Sequence, residues 1–492
     1  MSFSIIRDKQ NIGGNELKSL ILNLDSNSNL RLYEQIYEAL KKDIVSGNLR
    51  KGSKLPSLRK LAKENGISIT TIEAAYSQLL VEGYIESRPK SGYYVRENIG
   101  TLAGENLNDN TEEGIEAYLG EETSTTARMV HNEKKVVYDE QSFDFGKWKK
   151  CMNKVFNDHS KLLRTHADVQ GEPALRYEIA KYLYQSRGVK CSPDQIVIGA
   201  GTQQLMIQLT RIMKTVGVQN ALTETPGYGP VRSIFKDEGF PVTEVPVSDD
   251  GIVVEQLPDK LRSIVYVSPS NQFPSGAVMP AARRYELINW AVNNGCYILE
   301  DDYDSELRYF GKPIPAMQGL DNAGCVIYMG SFSSTLFASI KISYLVLPEE
   351  LMSVFESTKH LYSQTCSKAE QLCLSLYMEE GYYYAHIKKL RRIYASKLNV
   401  TMNLFEKCGA DIVTAVDSRS GLAVMLRIRS EYSASEICII AEQLGLSMKP
   451  VDDLCTEEEK VVYFYFYMVP ETLLKMIVKM FIQKLKPRQR KQ

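Results

Sequence analysis

The sequence lacks the features that mark three classes of protein. Its nine cysteines are scattered singly, without a Cys-x-x-Cys pair, which argues against a disulfide framework and favours reduced thiols in a cytoplasm. The five histidines show no metal-ligand spacing, so no metal site is predicted. No stretch approaches 18 consecutive apolar residues, and the first ten residues lack a secretory signal core. We therefore expect no membrane segment and a cytoplasmic location.

The chain also lacks an excess of charge of either sign. Its formal net charge is −1, so any contact with nucleic acid must come from a local basic patch. A hydrophobic content of 44% and a charged content of 24% are typical of globular proteins. Because 492 residues exceed one ordinary core, two or three domains are expected.

Residues 1–97 have the pattern of a small DNA-binding domain. Apolar residues recur at helical spacing over Leu32–Val45. Ser57 and Ser68 are predicted to cap two further helices, which Gly66 separates. This is the pattern of a helix-turn-helix, whose second helix enters the major groove. Two predicted strands, 84–87 and 93–95, flank a basic connection that can act as a wing on the phosphate backbone, although a small protein-interaction domain is the alternative.

The stretch PSLRKLAKENGISITTIEAAYSQLLVEGYIESRPKSGYYV resembles the winged helix of the GntR superfamily. The resemblance implies binding to a double-stranded DNA operator through Arg59, Ser68, Thr70, Thr71, Arg88 and Lys90. The family often has an arginine where this chain has Ile69, so we expect a different preferred operator sequence. Phosphate contacts would still supply much of the affinity.

Residues 98–140 are rich in Gly, Asn, Thr and Glu and have few large apolar residues. Such a segment cannot bury enough surface to order itself fully. We predict a flexible linker between the DNA-binding domain and a large domain at 141–492.

Residues 141–492 alternate predicted helices and strands. Strands are predicted at 195–199, 218–224, 264–267, 297–300, 326–329 and 342–347, and helices at 175–184 and 203–213. This alternation predicts an α/β domain with a mainly parallel sheet covered by helices on both faces. Ligands of such domains bind at the carboxyl ends of the strands.

Polar and aromatic residues follow the predicted strand ends. The glycine turn before Thr202 leads into a helix whose free N–H groups can hold a phosphate. Tyr228 is placed to stack on a flat heterocycle. Asp301 ends a buried strand, where a carboxylate can keep a ring nitrogen protonated. Each residue also has an ordinary structural explanation, as a core aromatic, a helix cap or a turn residue.

In this order, the segments resemble fold-type-I aminotransferases, which depend on pyridoxal 5′-phosphate and carry a small C-terminal α+β part. With the winged helix, the whole chain resembles MocR-type regulators, the GabR-like branch of the GntR superfamily. Of the residues that the resemblance assigns to the cofactor, Asp301 and Tyr303 would contact the ring and Tyr228 would stack on it. Asn271 or Gln272 would lie near the ring hydroxyl, and the choice between them stays open. The full implied set is Thr202, Gln203, Tyr228, Asn271, Asp301, Tyr303, Ser331, Ser333 and Lys341.

One departure from the family changes the expected chemistry. The family's lysine, which forms the Schiff base with pyridoxal phosphate, falls at Ser334 in this chain. A hydroxyl cannot form that bond or shuttle the proton of transamination. No catalytic residue is therefore assigned, and any B6 form is expected to bind noncovalently.

Three further family positions differ. Lys341 stands where a phosphate-pairing arginine is usual, and it keeps the charge without the two-pronged geometry. The arginine for the substrate carboxylate is missing from 461–467, where the alignment puts Val462 or its neighbour in its place. Ala423 stands where a histidine is common.

These observations support a homodimeric transcription regulator whose aminotransferase-like domain dimerises and senses a small molecule, such as an amino acid or a B6 derivative. The homodimer is implied because fold-type-I sites are built at a subunit interface. The rival hypothesis is a pyridoxal-phosphate-dependent aminotransferase with an attached DNA-binding domain. A third is a scaffold whose pocket binds no small molecule.

Overall fold

The computed structural model describes the backbone of 5–6 and residues 20–22, 24, 30–89, 91–96, 142–309, 314–416 and 420–486. The chain divides into two compact units, Met1–Asn132 and Glu133–Gln492. Lys90 and the linker predicted at 98–140 lie outside the described residues. None of the helices within the described ranges is long and apolar enough to cross a membrane.

The first unit contains three helices and a two-stranded wing, as predicted. Its elements are β1 (Ile5–Ile6), β2 (Ile21–Leu22), α1 (Leu32–Val45), α2 (Leu58–Asn65), α3 (Ile69–Val81), β3 (Ile85–Arg88) and β4 (Gly92–Val95). β1 pairs with β2, and β3 pairs with β4, both antiparallel.

Local hydrogen bonding explains where the helices of this unit begin and end. The hydroxyl of Ser57 accepts the N–H of Lys60 at 3.3 Å, and that of Ser68 accepts the N–H of Thr71 at 3.1 Å. Each bond satisfies a donor that the first helical turn leaves without a partner. Gly66 ends α2 with φ +68°, a conformation that favours glycine. The three helices enclose a core that includes Ile36, Leu61 and Ile72.

The second unit is built on an eight-stranded sheet with the order β5-β12-β11-β10-β9-β6-β7-β8. Its strands are β5 (Ile196–Gly199), β6 (Asn220–Thr225), β7 (Val242–Ser248), β8 (Gly251–Ile252), β9 (Ser263–Val267), β10 (Tyr297–Asp301), β11 (Val326–Ser331) and β12 (Ser343–Val346). Strands β6, β7, β9, β10 and β11 are parallel to one another. At the two ends of the sheet, β8 runs antiparallel to β7, and β12 runs antiparallel to both β11 and β5. The prediction of a mainly parallel sheet is confirmed.

Helices cover both faces of this sheet. They are α4 (Phe145–Asp158), α5 (Pro173–Arg187), α6 (Thr202–Thr215), α7 (Gly229–Asp237), α8 (Ala281–Asn294), α9 (Glu349–Thr358) and α10 (Lys368–Glu379). Neighbouring residues of β10 belong to different cores, Ile298 to one face and Leu299 to the other, because side chains alternate along a strand.

A smaller C-terminal part completes the unit, as the resemblance implied. Its four-stranded antiparallel sheet has the order β13-β14-β16-β15. The elements are α11 (Tyr382–Gly409), β13 (Val413–Ala415), β14 (Val424–Arg429), α12 (Ala434–Gln443), β15 (Met448–Pro450), β16 (Glu459–Phe464) and α13 (Glu471–Leu485).

Candidate nucleic-acid interface and candidate cofactor site

The start of α3 presents a cluster of hydroxyl groups. Ser68 Oγ lies 2.8 Å from Thr70 Oγ1 and 2.7 Å from Thr71 Oγ1. Ser68 and Thr70 are exposed, as is Arg59 on α2. Ile69, between them, is 46% exposed, so an apolar side chain is presented at the position to which the resemblance assigns an arginine. Hydroxyls at the start of a recognition helix are suited to phosphate and base-edge contacts.

Arg88 of the wing is held by two neighbours on its own hairpin. Its guanidinium contacts Glu86 Oε1 at 2.7 Å and lies 4.4 Å from the centre of the Tyr94 ring. The side chain remains half-exposed, so a phosphate can reach it in competition with Glu86. Lys90, the other predicted cation of the wing, lies outside the described residues.

The predicted phosphate-binding residues lie at the start of α6 and at the end of β11. Gly201 precedes α6 with φ +89°, and no side chain of the described residues caps that helix. Thr202 is half-buried and Gln203 is exposed. Ser331 on β11 is paired with Ser343, which in turn is paired with Gly199 at the end of β5. The serine is therefore two strands away from the glycine turn that leads into α6.

Two of the predicted phosphate ligands differ from expectation in their surroundings. Ser333 Oγ donates to the carbonyl of Ile340 at 2.7 Å, so its hydroxyl hydrogen is used within the loop. Lys341 precedes β12, which begins at Ser343, one residue after the start of the strand predicted at 342–347. The apolar run starting at 342 suggested a longer strand, whereas the bond from Ser333 holds residues 331–340 in a turn. Lys341 is exposed.

Asp301 ends β10 and is buried. The hydroxyl of Tyr266, on the neighbouring strand β9, donates a hydrogen bond to its carboxylate. The pKa of Asp301 is raised to about 7, mainly by burial; the bond from Tyr266 opposes the rise, and the charges of Asp302 and Asp304 add to it. Residue spacing did not reveal Tyr266, since its contact with Asp301 spans 35 residues.

Asp304 forms a second acidic position close by, which the sequence analysis left without a role. It has φ +57° and is buried. Burial raises the pKa of Asp304 to about 6, while hydrogen bonds from the Ser334 hydroxyl and the Leu422 backbone lower it. Ser334, which the resemblance aligns with the family's lysine, therefore contacts a buried carboxylate.

Asn271 and Gln272 differ in whether their side-chain amide nitrogens already donate hydrogen bonds. Gln272 Nε2 donates to the carbonyls of Pro226 and Phe273 at 2.8 and 2.6 Å. Asn271 Oδ1 accepts from Ser420 Oγ at 3.2 Å, but its buried Nδ2 has no hydrogen-bond partner in the described part of the chain. Of the two side chains left open by the sequence, Asn271 keeps the unused donor.

Gly421 lies close to both Asn271 and Asp304. A Cβ on this glycine would lie 3.1 Å from Asn271 Nδ2 and 3.6 Å from Asp304 Oδ2. Its φ of +83° also disfavours other residues. The missing side chain leaves space between the two polar groups.

Aromatic side chains cluster near the position to which the family resemblance assigns the substrate carboxylate. Tyr228 is 39% exposed, and its ring centre lies 6.2 Å from that of Phe273. Phe273 packs edge-on against Tyr463 at 5.2 Å. Tyr303 is partly buried, and burial and the neighbouring Tyr463 and Asp304 raise the pKa of its phenol.

The alternation of β16 places Val462 and its two neighbours on different faces of the strand. Val462 is fully buried in the core of the C-terminal part. Tyr463, one residue later, points to the other face and belongs to the cluster with Phe273. Val461, the other neighbour of Val462, belongs to the same cluster, and Tyr463 is the neighbour whose ring contacts Phe273.

A buried ion pair holds the loop after β10. Arg187 Nε contacts Asp302 Oδ2 at 2.7 Å, and another guanidinium nitrogen donates to Ser270 Oγ at 2.6 Å. Ser305 and Tyr328 also donate to Asp302. These bonds hold Asp302 and Ser305, on either side of Tyr303, in place.

Both units match known families. Residues 32–95 match the family described as "Bacterial regulatory proteins, gntR family". Residues 134–473 match "Aminotransferase class I and II". These matches confirm the winged helix-turn-helix and the aminotransferase-like domain that the sequence predicted.

Several curated proteins share both parts. The chain is 36% identical over 431 residues to an HTH-type transcriptional regulator, YdeL, of Bacillus subtilis (strain 168), covering 87% of this chain and 90% of that protein. It is 31% identical to the probable rhizopine catabolism regulatory protein MocR of Rhizobium meliloti, over 88% of each chain. It is 29% identical to the pyridoxine biosynthesis transcriptional regulator PdxR of Corynebacterium glutamicum, over 75% of this chain and 78% of that one.

Solved aminotransferase structures share the fold. A kynurenine aminotransferase from Pyrococcus horikoshii has a TM-score of 0.62 at 21% identity, covering 77% of this chain and 99% of that one. An archaeal alanine:glyoxylate aminotransferase has a TM-score of 0.64 at 21% identity, covering 78% and 96%. At these identities the likeness establishes the fold alone.

Proposed function

Since the chain belongs to the MocR-type transcriptional regulators, which join a GntR-type winged helix to an aminotransferase class I and II domain, we propose that its second unit senses a B6-type ligand that it binds noncovalently. The observation that carries this proposal is the contact between Ser334 and Asp304. A hydroxyl bonded to a carboxylate occupies the position of the family's lysine, while the groups that would hold the ring remain.

The residues of the pocket fit a pyridoxal-type ring. Asn271 Nδ2 is a buried donor that lacks a partner in the described ranges, and a ring hydroxyl would supply the missing acceptor. Asp301, at a strand end, is placed to pair with a protonated ring nitrogen. Tyr228 offers a half-exposed aromatic face for stacking. The start of α6 offers backbone N–H groups to a phosphate.

The same residues argue against turnover. Pyridoxal phosphate supplies an aldehyde that reacts with primary amines. Ser334 has no amine to tether that group or to move a proton beside it. Tyr463 faces Phe273 where aminotransferases place a carboxylate-binding arginine. An aromatic ring does not replace the charge-assisted bonds of a guanidinium.

We further propose that the protein acts in the cytoplasm as a homodimer on paired operator half-sites, with the ligand shifting the balance between arrangements of the two winged helices. Large apolar side chains on α4 and α5 support a covered surface, since Phe145, Tyr177 and Tyr184 are each more than half exposed. The name of the relative PdxR, a pyridoxine biosynthesis regulator, supports a B6-type ligand.

Borohydride reduction of the purified protein with pyridoxal phosphate tests the proposal against the rival aminotransferase. We expect a rise in melting temperature with the ligand, no lysine peptide carrying a reduced pyridoxyl group, and no conversion of amino acids to keto acids. Ser334→Lys is the matched control, in which a labelled peptide is expected at residue 334. A labelled lysine in the unaltered protein, or brisk transamination, would favour the enzyme. No thermal shift with any B6 form would favour the scaffold without a ligand.

A further inference from the structure

Two buried carboxyl groups, those of Asp301 and Asp304, lie in the candidate cofactor site. Asp304 accepts a hydrogen bond from Ser334, and Asp301 accepts one from Tyr266. The arginine at this strand end, Arg187, is engaged by Asp302. The neighbouring charges that act on Asp301 are those of Asp302 and Asp304, both of them acidic. A buried carboxylate without a cation is stabilised by a ligand that brings one.

A second feature indicates that a ligand completes this pocket. Asn271 is 2% exposed, and its Nδ2 has no hydrogen-bond partner among the residues that the structure describes. Nδ2 of Asn271 and Oδ2 of Asp304 both lie within 4 Å of the point that a Cβ on Gly421 would occupy. The pocket therefore presents an unused donor beside a carboxylate acceptor, which suits a ligand with an acceptor and a cationic donor close together.

We propose that Asp304 and Ser334 form a binding subsite for the ammonium group of the ligand, so that the pocket prefers an amine-bearing B6 phosphate to its alcohol counterpart. The inference rests on the proposed function, since it assumes that the domain holds a B6-type ligand. In the family, the lysine at this position brings an amine into the site. Here the chain supplies a hydroxyl and a carboxylate, and the ligand supplies the amine. No bond is made or broken in this interaction.

Two ligands that differ in a single group test the proposal. Pyridoxamine 5′-phosphate and pyridoxine 5′-phosphate share the ring and the phosphate, and differ in having an amine or a hydroxyl on the same carbon. Titration calorimetry of the full chain should show at least about tenfold tighter binding of the amine, which is the scale of one charge-assisted hydrogen bond.

The variant Asp304→Asn tests whether Asp304 causes the preference for the amine-bearing ligand. Asn tolerates the left-handed backbone of position 304, where φ is +57°, so the variant is expected to fold. Its affinities for the two ligands should come within about twofold of each other, because the affinity for pyridoxamine 5′-phosphate falls more than the affinity for pyridoxine 5′-phosphate. Ser334→Ala is a second variant, which keeps the carboxylate and should retain part of the preference.

The outcomes separate the subsite from the broader function. Equal binding of both ligands to the unaltered protein would overturn the ammonium subsite and leave B6 sensing intact. Binding of neither would overturn both. A full preference for the amine in Asp304→Asn and in Ser334→Ala would show that other residues recognise the ammonium group, and would also overturn the proposal.

Discussion

The hydroxyl of Tyr266 donates a hydrogen bond to the carboxylate of Asp301, and the two buried side chains lie on neighbouring parallel strands. Burial and this hydrogen bond have opposite effects on the pKa of Asp301. Burial raises the pKa of Asp301 to about 7, and the bond stabilises the charged form. Tyr266 thereby helps to keep Asp301 ionised where a ring nitrogen would meet it.

Tyr266→Phe should weaken ligand binding through this bond. Without it the pKa of Asp301 rises further, so at slightly alkaline pH more of the carboxyl is protonated and less is available to a protonated ring nitrogen. We expect the affinity for pyridoxine 5′-phosphate to fall several-fold, by about 1 kcal/mol, and the midpoint of its pH dependence to move upward. Calorimetry over a pH series measures both. Tyr285→Phe, at a half-exposed position on α8, is the control, and an unchanged midpoint in Tyr266→Phe would contradict the assigned role.

The start of the recognition helix allows stability and DNA binding to be separated. Ser68→Ala removes the hydrogen bond to Thr71 N–H and should destabilise the winged helix by about 1 kcal/mol. Ser68→Asp keeps a capping oxygen but brings a negative charge toward DNA phosphates. We expect Ser68→Asp to melt near the unaltered protein while its DNA affinity falls by about tenfold or more.

Melting curves and fluorescence anisotropy with duplex DNA at a fixed salt concentration measure the two effects. Ser430→Asp, in the second unit, adds the same charge where no DNA contact is predicted. If Ser68→Asp binds DNA as tightly as Ser430→Asp does, the start of α3 does not face the phosphates.

Features set by neighbouring residues could be predicted from the sequence, and contacts between distant segments could not. The caps at Ser57 and Ser68 follow from short-range hydrogen bonding, and six of the eight strands of the large sheet follow from short apolar runs between polar turns. The sequence analysis missed β7 and β8. The bond between Tyr266 and Asp301 joins residues 35 positions apart, and the contact between Ser334 and Asp304 depends on how their loops fold. No local pattern specifies either pair.

Strand register determines which residues of β16 face the candidate site, and the sequence does not specify that register. Whether Val462 or Tyr463 faces the site depends on which face of β16 packs against the core, and that face is set by pairing with β14 and β15. The family resemblance supplied the roles of Asp301 and Tyr228. It left the choice between Asn271 and Gln272 open, and their hydrogen-bond partners come from segments distant in the sequence, such as Ser420 and Pro226.

Glu224 should make the stability of the second unit depend on pH. Burial raises the pKa of this carboxyl from 4.5 to about 8, and hydrogen bonds from Gln272 and the Ser268 backbone only partly offset the rise. The folded state therefore holds the proton more tightly than the unfolded chain does, and unfolding releases it between these two values. The contribution of Glu224 to the free energy of unfolding is present in full below pH 4.5, declines as the pH rises, and is lost above about pH 8.

Glu224→Gln removes this titration while keeping the shape of the side chain. Relative to the variant, the unaltered protein should lose on the order of a few kcal/mol of stability between the two ends of that window. Urea denaturation of both proteins near pH 4.5 and near pH 8 measures the difference, and taking the difference cancels the other buried carboxyls. Glu379→Gln, at an exposed position on α10, should leave the pH dependence unaltered. If Glu224→Gln loses as much stability as the unaltered protein over this range, then Glu224 is ionised in the folded state throughout, and a cation or a water-filled space must lie beside it.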